Sequence, residues 1–234
     1  MTDNQAKKNL LPHSEAKVQL YGYYLGIYLN VLAHAGFSIY LFDFLCGEGR
    51  YANEGEGSPL VALNAIQRHY FAKGKTCPNI EIWFNDNGES IIEPGVSKID
   101  RVRRLSEAVF RPDNVKLKFY ELDYRELLSQ ALTTFNRATY SKGLFFIDPY
   151  GYKDIRPSDI KQILFNGHAE VLLFLDIADM YRFWNTAVNK SFAGSEPLES
   201  FMKELYEGKD IPLFYSPDEL IVGLKARFNS NLSI

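Results

Sequence analysis

The chain has 234 residues, 46% hydrophobic and 24% charged, a composition close to the globular average and a length that suits one α/β domain with an appendage. Its 26 basic and 29 acidic residues leave a net charge of −3, which excludes binding to nucleic-acid backbone by overall charge and would require a local patch or a partner for such a substrate. Two cysteines, Cys46 and Cys77, cannot build a disulfide framework, the opening MTDNQAKKNLLPHSEAK holds no apolar signal stretch, and the nearly uncharged run Leu20 to Leu41 is broken by Asn30, His34 and glycines, so a reducing cytoplasm without a membrane anchor is expected.

In chain order, a polar leader over 1–12 precedes a helix that Ser14 is expected to cap and that runs to about Ala33, with Val18, Tyr21, Leu25, Tyr28 and Leu32 spaced three or four apart. Ser38 to Asp43 is a continuous apolar run ending in an acid and a Gly-rich turn, and a helix follows from about Pro59. The alternation continues with strands at Ile80 to Asn85, Val115 to Glu121, Gly143 to Asp148 and Glu170 to Asp176, and helices at Pro94 to Phe110, Tyr124 to Ala138 and Pro157 to Phe165. Apolar strands alternating with helical stretches predict a doubly wound, mostly parallel sheet of Rossmann-like type over 13–176. The segment 177–234 reads as helical, near Met180 to Val188, Pro197 to Glu207 and Pro217 to Phe228, with at most a short strand at Ile211 to Tyr215. The sheet is therefore expected to hold no more than six strands, with the fifth at or next to an edge that the tail, another chain or absent sequence covers.

In such a sheet the ligand crevice lies beyond the carboxyl ends of the strands, where the strand order reverses. The first strand ends in Asp43-Phe-Leu-Cys-Gly47-Glu-Gly49-Arg; the two glycines allow positive φ and close backbone approach, or form an ordinary tight turn. An acid at this strand end suits a cationic or amine-bearing ligand better than a pyrophosphate, and the G-x-G-x-x-G fingerprint is incomplete because Ala52 stands at its third glycine. After the second strand Asp86 stands where nucleoside-binding folds hold ribose hydroxyls, or caps its loop. Asp123, after the third, either accepts from an adenine amino group or caps the next helix. After the fourth come Asp148-Pro149-Tyr150-Gly-Tyr152, where the rings offer faces for a base and the carboxylate stands at the crevice, or the Pro and Gly simply punctuate a turn. The four histidines are scattered without metal-ligand spacing, so no metal is expected. The basic run Arg101, Arg103, Arg104 with Arg111, Lys116 and Lys118 reads as a solvated helix face more readily than as a phosphate site.

The Asp43 turn and Asp148-Pro-Tyr-Gly resemble the first and fourth motifs of Rossmann-like S-adenosylmethionine-dependent methyltransferases. Together with His13-Ser-Glu-Ala-Lys17 and Glu56-Gly-Ser-Pro-Leu60, they resemble more narrowly the three-Cys-motif partner family of bacteria, over roughly residues 13 to 180. Leu45 stands where the wider class often has glycine, and Pro149-Tyr150 where its amino-methylating branch has Pro-Pro. The resemblance implies that Asp43, Gly47 and Gly49 surround the methionine part of S-adenosylmethionine, that Asp86 holds its ribose and Asp123 lies near its adenine, and that Asp148, Pro149 and Tyr150 face the methyl acceptor. It implies a methyltransferase-like protein whose acceptor is an amine of nucleic acid or a nucleotide. The alternative is a non-catalytic Rossmann-like subunit that acts with an accessory, three-Cys-motif protein.

Overall fold

The computed structural model describes residues 8–74, 77–149, 155–165 and 167–231. Tyr150 and Tyr152 lie outside the described residues, as does the first part of the leader. The chain divides into two compact units, one of residues 1–147 with 168–172, the other of 148–167 with 173–234. The sequence-based division at Asp176 thus differs from the contact-based one, which assigns 148–167 to the C-terminal unit.

The first unit is built from helix α1 (Pro12–Ala35), strand β1 (Ser38–Asp43), α2 (Ser58–Ala72), β2 (Ile80–Asn85), α3 (Lys98–Glu107), β3 (Val115–Tyr120), α4 (Tyr124–Arg137), β4 (Ser141–Ile147) and the edge strand β5 (Ala169–Leu173). The five strands form a parallel sheet in the order β3-β2-β1-β4-β5, a Rossmann-like doubly wound α/β fold. Among the described residues the sheet has five strands and β5 stands at its edge, as the apolar runs predict.

Alternation along the central strands explains why both faces need helices. On β1, Tyr40 and Phe42 point toward α4, where Phe135 meets their rings edge-on at centroid distances of 5.7 and 6.1 Å. Phe42 also stacks at 4.3 Å on Phe145, its register partner on β4. The next residue on β4, Phe146, faces the opposite way and stacks at 4.2 Å on Tyr21 of α1. The buried positions of α1 include Val18, Tyr21, Leu25, Tyr28 and Leu32, the same five residues picked out by their spacing.

Several element ends correct the sequence reading. Helix α1 starts at Pro12, with Leu11 as N-cap residue and no side-chain cap, so Ser14 does not cap it; proline tolerates the first turn because it has no N–H to leave unpaired. Helix α3 starts at Lys98, not Pro94, because Ser90 organises the preceding residues into a turn, its hydroxyl accepting from the N–H groups of Ile92 and Glu93 at 3.1 and 2.9 Å. Ser97 then caps α3 by accepting from Asp100 N. Strand β5 stops at Leu173, and Asp176 caps the next helix by accepting from Asp179 N at 3.0 Å.

The second unit contains α5 (Pro157–Leu164), α6 (Ile177–Asn189), α7 (Glu196–Leu205) and α8 (Pro217–Asn231). Glu204 of α7 accepts from Ser158 N at the start of α5 at 2.6 Å, which ties 148–167 to this unit. Its core gathers Met180, Trp184, Leu198, Phe201, Leu205 and Leu220. The segment 211–215, read as at most a short strand, is irregular: Asn185 pairs with both backbone groups of Phe214, at 2.6 and 2.9 Å, and Trp184 Nε1 donates to Pro212 O at 2.8 Å. Side chains thus satisfy the backbone that a neighbouring strand would otherwise pair with.

Candidate functional site

The strand order reverses between β1 and β4, so the carboxyl ends of β1 and its neighbours mark the ligand crevice of this fold. Asp43 closes β1 there and is almost fully buried. Burial, with the nearby Asp43 charge as a further cause, raises both the Tyr21 hydroxyl and the Cys46 thiol well above their ordinary values. Cys46 is thereby kept protonated and non-nucleophilic. Burial alone pushes the Cys77 thiol up to about 11.

The turn that follows has the conformation its glycines predict, with φ of +66° at Gly47 and +73° at Gly49. At Gly49 a side chain would also be crowded, because a Cβ there would lie 3.1 Å from Val102 and 3.3 Å from Leu105 of α3. The turn is therefore pressed against α3. Two of its amides point inward, Cys46 N donating to Asn85 O at 2.9 Å and Gly47 N to Asp86 Oδ2 at 3.1 Å, and its Gly49 carbonyl accepts from Gly57 N at 2.7 Å. An anionic phosphate gains nothing from the engaged Cys46 and Gly47 amides, whereas the carboxylates at the strand ends favour cations and hydroxyl donors.

Asp86 is buried and accepts from Gly47 N and from Gly88 N at 2.9 Å, with Lys98 Nζ 3.2 Å from Oδ1. Of the roughly four acceptor positions of a carboxylate, three are used by the protein, and about one remains for a ligand hydroxyl. Asp123 is exposed and caps α4 by accepting from Arg125 N at 2.9 Å. Of its two readings, the capping one is realised. Asp148 and Pro149 are half-buried and belong to the second unit, immediately after β4. Among the described residues no group of three or more His, Cys, Asp or Glu side chains gathers as a metal site.

Three residues that build this region went unremarked as site residues in the sequence. Asn85, at the end of β2, donates to the carbonyls of Phe44 and Leu122 at 2.9 and 3.1 Å and accepts from Leu122 N at 2.9 Å, joining the ends of three neighbouring strands. Glu48, inside the glycine turn, accepts from Ser90 Oγ at 2.7 Å and Ile91 N at 2.8 Å. Arg101 of α3 pairs with Glu48 at 3.6 Å and donates to the carbonyls of Glu48 and Arg50. A strand-end asparagine and an acid between two glycines were visible signals, but their partners lie some 40 to 50 residues away.

The basic run is largely consumed in the same way. Arg103 pairs with Asp100 at 2.9 Å and lies over Phe119, Arg104 pairs with Glu93 at 2.7 Å, and Lys118 with Glu81 at 2.7 Å. Arg111 donates to Ser106 O at 3.4 Å. Arg104 thus holds α3 to the loop before it, Lys118 joins β3 to β2, and Arg103 pairs within its own helix. At Glu56, between the turn and α2, the carboxylate accepts from Asn64 Nδ2 at 2.7 Å and lies 3.6 Å from Arg50.

The chain matches no known protein family and no curated protein.

Removing Arg101 leaves Glu48 as an uncompensated buried charge and strips two turn carbonyls of a donor. Arg101→Met is expected to cost about 3–5 kcal/mol in urea unfolding, with part of the loss recovered by adding Glu48→Gln. A cost below about 1 kcal/mol would show that the turn does not depend on this pair.

The raised thiols and tyrosines also set an alkaline limit. The unfolded chain releases these protons near the ordinary 9.0 of a thiol and 10.0 of a tyrosine, whereas the folded chain holds Cys77 to about 11 and Tyr24 to about 12. Their contribution to stability is intact below about pH 9 and is lost as pH rises from there. Urea midpoints are expected to fall between pH 8 and about pH 11. An unchanged midpoint over that interval would contradict the assignment.

Proposed function

We propose that this chain is a methyltransferase-like protein that binds S-adenosylmethionine at the carboxyl ends of β1 and β2, with an amine of nucleic acid or a nucleotide as acceptor. The observation that carries the proposal is the buried Asp43 carboxylate at the switch point of a parallel sheet, beside a turn whose two glycines adopt positive φ. With the Cys46 and Gly47 amides turned inward, this strand end favours a cationic, hydroxyl-bearing ligand over a dinucleotide pyrophosphate.

On this reading Asp43, Gly47 and Gly49 surround the amino-acid part of the ligand, and the last acceptor position of Asp86 takes a ribose hydroxyl. Asp123 holds the α4 N-terminus near the base through its cap. When bound, the cofactor supplies a methyl group already activated as a sulfonium, so the chain needs no nucleophile of its own. Its task is to align an acceptor nitrogen with that methyl group. By the resemblance, Asp148, Pro149 and Tyr150 would face the acceptor, and the Asp148 carboxylate would accept a hydrogen bond from its N–H.

A second reading, a non-catalytic subunit that retains the pocket and acts with an accessory protein of three-Cys-motif type, draws support from Glu48 and Asp86. Both carboxylates already bind Arg101 and Lys98 of the chain itself.

Calorimetry with S-adenosylmethionine or S-adenosylhomocysteine is expected to show binding that Asp43→Ala weakens at least tenfold, about 1.4 kcal/mol. Asp148→Ala should leave that affinity nearly unchanged and abolish methyl transfer. The absence of both heat and a thermal shift at millimolar ligand would overturn cofactor binding. Binding without transfer to any nucleic-acid amine would select the second reading.

A further inference from the structure

Helix α1 is apolar on more than the side it buries. Leu20, Tyr23, Ile27 and Val31 recur at intervals of three and four along its outer side and are 49%, 70%, 46% and 63% exposed. A helix that is hydrophobic all round is normally covered all round. Together these side chains present an apolar stripe on the order of a few hundred Å², the size at which exposed patches mark interaction surfaces.

Beside the stripe runs an open groove of about 680 Å³ between α1 and α2. Its floor is made by small residues. Gly22 lets the two helices touch, since a Cβ there would come within 2.6 Å of Val61, and Gly26 has nothing within 4 Å of its Cβ position. The groove is broad and shallow, and Tyr23 and Ile27 belong to both ridge and groove. A ridge lying next to a groove on one face is what a twofold interface requires, because each copy can then place its ridge in the groove of the other.

We propose that this face binds a second copy of the same chain, with α1 packing antiparallel on its counterpart about an axis between Tyr23 and Ile27. That axis sets Tyr23 of each copy against Ile27 of the other. Charge agrees with this direction. Arg68, on α2 at the groove wall, is exposed and has no ion pair among the described residues, and Glu15 is exposed in the first turn of α1. Antiparallel packing carries Glu15 of one copy toward the groove end where Arg68 of the other stands, whereas parallel packing sets them on the order of 20 Å apart along the axis. Size agrees as well. Helix α1 is about 36 Å long and α2 about 22 Å, so their joint face projects to roughly 600 Å², comparable to the ~800 Å² of accessible surface that each partner buries in a standard interface. The stripe and groove residues named here are none of those at the β1 turn, and the proposal does not rest on the methyltransferase reading.

The test is sedimentation equilibrium of the full chain at about 50 µM, far above a micromolar Kd. The expected mass is twice the 26.8 kDa of one chain. Tyr23→Glu and Ile27→Glu, both at exposed positions, should each give a monomer with unchanged far-ultraviolet circular dichroism. Glu15→Arg and Arg68→Glu should each weaken the dimer about threefold or more, and the double exchange should restore it. A wild-type chain that sediments as a monomer overturns the proposal and leaves the face to another protein or to a segment of this chain. A dimer that survives both glutamate substitutions assigns the contact to a different surface and overturns it equally.

Discussion

Backbone groups buried where β1, β2 and β3 end must find hydrogen-bond partners inside the protein, and a single amide side chain meets most of that need. Asn85 donates to a carbonyl of the β1 loop and one of the β3 loop and accepts from the latter's N–H. Its own carbonyl takes the Cys46 amide. The crevice end of the sheet is thereby one connected body, on which Asp43 and Asp86 hold fixed positions. Arg101 extends the same principle to the glycine turn, neutralising Glu48 while satisfying two carbonyls from α3.

This arrangement gives the polar side chains of the crevice two kinds of work. Glu48 and Arg101 serve the backbone alone, tying the glycine turn to α3 and to the Ser90–Ile91 loop. Asp86 both anchors the turn through the Gly47 amide and keeps an acceptor position open, and Asp43 stands behind both at the sheet centre. Because Lys98 sits 3.2 Å from Asp86, a ligand hydroxyl there enters a site whose negative charge is already partly balanced. Hydroxyl binding then gains hydrogen bonds without requiring a free buried anion.

Much of the fold could be read along the chain because its signals are local. The continuous apolar runs of β1, β2 and β4 mark strands buried on both faces, and Pro59, Pro157 and Pro217 lie at or beside helix starts, where a missing N–H costs nothing. The turn glycines and the two readings of Asp123 were equally local. What escaped the sequence depends on partners far away. Pro94 looked like a helix start until Ser90 and Glu48 are seen to organise its loop. Arg101 looked like a surface cation because Glu48 is 53 residues away. The grouping of 148–167 with the tail rests on Glu204 holding Ser158, a contact that no periodicity announces. Along α1 the apolar residues of the two sides look alike in sequence until burial separates Val18, Tyr21 and Leu25 from the exposed Leu20, Tyr23 and Ile27.

The central claim is that the strand ends at Asp43 and Asp86 form a site for a sulfonium nucleoside. The most direct test is a crystal structure of the chain grown with S-adenosylhomocysteine. The account predicts the ligand at the carboxyl ends of β1 and β2, with its amino-acid portion beside the Gly47–Gly49 turn and a ribose hydroxyl donating to Asp86. Ligand bound elsewhere on the chain, or an empty crevice at millimolar concentration, would contradict it.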